Sequence, residues 1–205
     1  MKGMNLFQPI GQQWIRANIL QDLRTLTKPG SLSYLMFGPQ PSRQSISIKL
    51  GYFGEYLCKE IIKRNPDLSL LTCGLHLMEE KKQDIDLLWV NPSKQTVYVR
   101  ELKGNIELDT EKLPAMFNKI KETLLPFVQE KYPGHTINVG VLNWGVYSRD
   151  ELTKGIKQIH ACEQNGVKVD HWADFCELVD LECTQEEYYD YMHEMGTLIK
   201  LHMDV

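Results

Sequence analysis

The 205-residue sequence holds five cysteines (Cys58, Cys73, Cys162, Cys176 and Cys183) and no Cys-x-x-Cys pair. An odd set with no such pair argues against a disulfide framework and for a reducing compartment. Its close Cys/His neighbours, Cys73 with His76 and His160 with Cys162, lack the usual spacing of a tetrahedral zinc site and read as structural residues. No apolar run approaches the roughly 20 residues that span a bilayer. Met1 to Leu6 lacks the charged start and long apolar core of a signal peptide. The expectation is a soluble, cytoplasmic protein with no membrane partner. A glycine-rich phosphate loop is also missing, since Gly51-x-x-Gly54 lacks the required pattern. None of the six histidines sits in a nucleophile motif, which argues against Ser/His or Cys/His catalysis.

What is present is an ordinary globular composition, 42% hydrophobic and 24% charged. That length suits one domain with a core large enough to need no staples. The net charge of −4 hides an asymmetry. Residues 1–169 carry 22 Lys+Arg against 17 Asp+Glu, a net +5, whereas residues 170–205 carry one Lys against 10 acids, a net −9. A basic body with an acidic end is a better clue to partners than the sum, and it permits an anionic one.

Apolar spacing predicts a helix over residues 10–26, ended by Lys28-Pro29-Gly30, then a turn-rich surface loop over 31–47. A second, well-buried helix is expected over 51–64. Strands follow at 68–77, 85–90 and 96–103, the last two joined as a hairpin by the turn-forming residues 91–95. A helix over 113–131 should be disturbed at Pro126. Next come a strand from Thr136, a helix to about Gln164 behind a Ser148/Glu151 capping box, a short strand at 167–169 and a short helix over 173–181. A second capping box, Thr184/Glu187, opens a last helix with Tyr188, Met192, Met195 and Ile199 on one face. Apolar residues on both faces of 85–90 imply a sheet covered on both sides. The fold class is α/β, three layers around a mixed sheet.

The chemistry is concentrated in residues 83–105, QDIDLLWVNPSKQTVYVRELKGN. Asp86 enters one strand of the hairpin, and Glu101 and Lys103 leave the other. Residues two apart on a strand share a face, and hairpin pairing brings Asp86 beside them. Two carboxylates next to an ammonium make an oxygen pocket suited to Mg²⁺ and a phosphodiester. The bland alternative is that Glu101 and Lys103 pair only with each other at an exposed strand end. Two other acidic-x-Lys triplets, Glu79/Lys81 and Glu80/Lys82, sit in a polar run that reads as a solvated turn, and Asp84 shares the parity of Asp86.

This stretch resembles the active-site hairpin of the PD-(D/E)xK nuclease superfamily, the restriction-endonuclease-like fold, and Gly51-Tyr-Phe-Gly-Glu55 resembles its upstream helix. Ile85 stands where the family names a proline, and Arg100 where an apolar residue is common. The resemblance implies that Asp86 and Glu101 are metal ligands together with the Leu102 carbonyl. It further implies that Lys103 is the catalytic lysine and Glu55 an additional carboxylate of the site. It implies Mg²⁺ as cofactor, with Mn²⁺ as a substitute, and cleavage of double-stranded DNA leaving 5′-phosphate ends. A type II restriction endonuclease acting as a homodimer is the specific expectation. The chain then reads as a single nuclease domain: N-terminal helix and candidate recognition loop to residue 50, catalytic core over 51–170, acidic helical segment from 171. Residues 1–43 carry five Lys+Arg against one Asp, and Arg43 and Gln44 have the chemistry to read bases. The alternatives are a structure-specific repair or recombination nuclease, and a non-catalytic DNA-binding module with the same fold.

Overall fold

Apolar side chains on both faces send the two hairpin strands to the middle of a sheet. β4 (Leu87–Asn91) and β5 (Thr96–Lys103) lie inside a five-stranded sheet of order β1-β4-β5-β6-β7, with β1 Ser69–Leu70, β6 Thr136–Asn143 and β7 Lys168–His171. β1/β4 and β4/β5 are antiparallel, β5/β6 and β6/β7 parallel, so the sheet is mixed. The computed structural model describes residues 1–21, 29–30, 32–38, 43–78, 81–107 and 112–203. The expected features at Lys28, Pro39, Pro41, Glu79 and Glu80 lie outside these.

The described chain divides into two compact units. The first comprises Cys58–Leu181 with Met1 and contains the sheet. On one face Leu88, Val97, Val99, Val139, Val141 and Val169 meet α4 (Leu113–Lys119), α5 (Leu125–Lys131) and α6 (Ile156–Gln164) through Leu113, Phe117, Val128 and Ile159, all buried. Each such side chain contributes about 1.5–3 kcal/mol on burial. On the other face Trp89 stacks on Tyr98 and meets the edge of Phe175 in α7 (Trp172–Leu178). Helices thus cover both faces, and the fold is α/β in three layers.

Two local features explain the hairpin and the helix that follows it. The Asn91 carboxamide accepts hydrogen bonds from the Ser93 hydroxyl and the Lys94 N–H, folding the turn, and Gln95 takes the left-handed conformation before Thr96. Between α4 and α5 the helix widens into a π turn, Ile120–Leu124. Pro126 cannot donate to the Glu122 carbonyl and crowds it, so the wider turn relieves a misfit that an α-helix would keep.

Several boundaries differ from the sequence reading. The strand expected over 68–77 is two strands in two sheets. β1 edges the main sheet, while β2 (Gly74–Met78) pairs with β3 (Lys81–Ile85) in a separate two-stranded sheet. Lys81 and Lys82 therefore belong to a strand rather than to a solvated turn. The chain bends at Asp86, between β3 and β4, so that residue is not inside a continuous strand. The Ser148/Glu151 box forms, but it caps a single 3₁₀ turn, and α6 starts five residues beyond that turn behind Gly155.

The second unit comprises Lys2–Leu57 and Glu182–Val205. It holds α1 (Gln8–Ile15, extended by a π turn over Arg16–Leu20), α2 (Leu32–Phe37), the first part of α3 (Arg43–Arg64) and α8 (Gln185–Met203). The loop expected over 31–47 is thus largely helical, because α3 begins at Arg43 with Ser45 and Ile46 buried. Phe53 stacks on Tyr191, Trp14 packs on Phe53 and Tyr56, and the Gln8 and Gln12 amides donate to the Glu194 carboxylate. The Thr184/Glu187 box forms at the start of α8. Among the described residues no helix is long and apolar enough to cross a membrane.

Candidate active site

The register of the hairpin decides what meets at its open end. Leu87 faces Arg100, so one step further Asp86 stands opposite Glu101, on the same face of the sheet. The chain bends there, and the Asp86 carboxylate turns to the edge of β5, where it accepts a hydrogen bond from the Leu102 N–H at 2.7 Å. In a paired strand one residue's N–H and C=O address the same neighbour. The Leu102 carbonyl therefore faces the edge on which Asp86 lies. This bond places the Asp86 carboxylate beside the backbone of the residue that follows Glu101.

Glu101 is nearly enclosed, its side chain 12% exposed. Two ammonium groups attend it. Lys103 Nζ stands 3.8 Å from Oε1, and Lys119 Nζ, at the end of α4, lies 2.9 Å from Oε2. Lys119 also donates to the Asp84 carbonyl at 3.2 Å, so one ammonium ties β3 to β5 at the site. Lys103 is the looser partner, consistent with a group available for a ligand. It also lines a cavity of about 110 Å³ with Lys112, Leu113 and Met116. Lys119 was missed by the sequence reading. It lies 16 positions beyond Lys103 on a helix where Lys119 and Lys121 look like an ordinary solvated face, so the sequence carries no local signal for it.

Arg100, the departure from the family pattern, points to the opposite face and is 1% exposed. Its guanidinium pairs with Asp170 at 2.6–2.7 Å, donates to the Val99 and Asn138 carbonyls and the Asn138 side chain, and lies over Trp89 and Tyr98. Such a fully partnered ion is a structural device beneath the site rather than part of it.

The other expected residues stand in the second unit. Glu55 is half-buried on α3; Arg43 and Gln44 are the exposed first residues of that helix, not members of a loop. The assignment of Glu55 to the same site rests on the resemblance alone.

The donors on the β5 edge are hard oxygens: two carboxylates and a carbonyl. Mg²⁺ takes this class of ligand, keeping several waters and using one or two carboxylates with substrate phosphate. The donor chemistry therefore fits the ion that the resemblance implies. Among the described residues no three His, Cys, Asp or Glu side chains gather into a metal-binding group. Two larger cavities, about 480 and 530 Å³, lie elsewhere, one beside Leu77 and Phe127, the other beside Arg149 and His171. The candidate residues lie outside both, at the C-terminal end of β5.

No protein-family model and no curated protein matches the chain. Among solved structures it is similar to Can2 from Sulfobacillus thermosulfidooxidans in complex with cyclic tetra-adenylate, at 14% identity. The match covers 95% of this chain and 54% of that one, with a TM-score of 0.34. The chain thus spans about half the length of the protein it matches. Superposition that loose carries no argument about activity.

Proposed function

We propose that this chain is a Mg²⁺-dependent endodeoxyribonuclease of the PD-(D/E)xK type, cutting double-stranded DNA at a defined sequence as a type II restriction enzyme does. The observation that carries the reading is the Asp86/Glu101/Leu102 edge with Lys103 at its side. Asp86, Glu101 and the Leu102 carbonyl would hold the ion. When bound, Mg²⁺ supplies Lewis-acid stabilisation of a phosphoryl oxygen and a more acidic water. Lys103, 3.8 Å from Glu101, holds the attacking water or a phosphate oxygen and offsets charge that grows in the transition state. Arg43 and Gln44, exposed on α3, would contact the DNA. Cutting both strands with one site per chain calls for a homodimer.

The test is incubation of plasmid DNA with the protein and Mg²⁺ or Mn²⁺. A fixed set of fragments bearing 5′-phosphates, suppressed by EDTA, supports the reading. Cleavage confined to branched or damaged DNA would instead make the protein a structure-specific repair nuclease. Cutting undiminished by EDTA would remove the metal mechanism. Binding without any cutting would leave a DNA-binding module.

A further inference from the structure

Glu101 has more cationic company than one catalytic lysine accounts for. Lys119 Nζ lies 2.9 Å from Glu101 Oε2, closer than Lys103 at 3.8 Å from Oε1, and both partners of the shorter pair are largely shielded. A second bond, to the Asp84 carbonyl at 3.2 Å, holds the ammonium in place. Lys119 is also the last residue before the π turn at Ile120–Leu124, and such turns are found often at functional positions. The oxygen it occupies belongs to the carboxylate that the proposed nuclease needs for its metal.

We propose that Lys119 is a built-in competitor for that metal, a positioning residue that neutralises Glu101 while no divalent ion is bound and must yield Oε2 for one to bind. This rests on the nuclease reading above and adds to it a control on metal affinity. An ammonium displaced from Glu101 beside a phosphodiester finds a new anionic partner there, so the phosphate replaces the carboxylate that the metal has taken. The device makes the metal site weak when empty of substrate. It differs from the role of Lys103, which stands on the strand itself and is the looser partner of Glu101.

The test measures Mn²⁺ binding to the full chain by calorimetry, with bound Mn²⁺ read independently by electron paramagnetic resonance. Lys119→Gln and Lys119→Ala are expected to bind Mn²⁺ roughly two- to fivefold more tightly than wild type, the range an ion pair of this exposure converts to. Lys119→Arg, which keeps the charge, and Lys121→Ala, which removes an exposed neighbour, should match wild type. In a Glu101→Gln background, adding Lys119→Gln should change nothing. Unchanged or weaker binding by Lys119→Gln and Lys119→Ala overturns the proposal, as does an equal increase from Lys121→Ala. Wild-type affinity in Glu101→Gln, or no Mn²⁺ binding by the wild-type protein, would overturn the metal site itself and this inference with it.

Discussion

At the scale of single residues, Arg100 and Glu101, adjacent on β5, do opposite jobs. Arg100 is paired, hydrogen-bonded and covered by rings, so its charge serves the fold. Breaking a buried pair by removing one partner leaves an uncompensated charge and costs about 3–5 kcal/mol. Asp170→Ala should lower stability by that order, read as a lower urea midpoint at pH 7, whereas a change below about 1 kcal/mol would mean that solvent reaches Arg100. Glu101 is paired instead with two ammonium groups on separate oxygens, Lys103 on Oε1 and Lys119 on Oε2. Its position was legible because Glu101 and Lys103, two residues apart, end a strand that begins with the apolar run Val97-Tyr98-Val99. Lys119 was not legible, because a lysine on an amphipathic helix announces nothing about the strand beneath it.

At the scale of elements, the hairpin followed directly from Asn91–Gln95 and the β-branched runs around it. The helix α3 did not: Ser, Gln and Arg near residue 43 read as turn chemistry, and only the burial of Ile46 reveals that the helix starts there. Splitting 68–77 into β1 and β2 was equally hidden, since each half carries apolar residues while the chain leaves the main sheet at residues 71–73 and returns to it only after the bend at Asp86. The exits of β5 and β6 are bound tightly: a Cβ on Gly145 would lie 1.9 Å from the Gly104 carbonyl oxygen, directly after Lys103. Gly145→Ala should therefore force these segments apart, costing about 1–3 kcal/mol and reducing any activity that depends on Lys103. A second element-level expectation concerns the start of α7. The His171 side chain, then its backbone N–H, hold the Asp174 carboxyl below its ordinary range. A depressed carboxyl contributes stability above its unfolded pKa of about 4 that is lost as pH falls through the lower folded value. The difference in urea midpoint between wild type and Asp174→Asn should accordingly be full at pH 6 and shrink below pH 4. A difference that grows on acidification would contradict the assignment.

At the scale of the whole molecule, some of the acids in 170–205 serve the fold. Asp170 neutralises Arg100, Glu194 accepts from Gln8 and Gln12, and Glu187 caps α8. The layered α/β architecture was legible from the alternation of helical and strand periodicities. The division into two units was not, because residues 2–57 and 182–205 are remote in sequence and their shared packing, such as Phe53 on Tyr191, leaves no local pattern. If both DNA strands are cut by paired copies, light scattering should give about twice the 23.8 kDa chain mass. A monomer at micromolar concentration, with or without DNA, would remove the homodimer. In the proposed nuclease Glu101 and Lys103 act together with a divalent ion on a phosphodiester. The most direct measurement of this is the Mg²⁺-dependent rate of plasmid cleavage by wild type, Glu101→Ala and Lys103→Ala, each checked by circular dichroism to be folded. A loss of about a hundredfold or more is expected in both variants, since each removes several kcal/mol of transition-state stabilisation; cleavage by folded Glu101→Ala at the wild-type rate would rule out the proposed metal site.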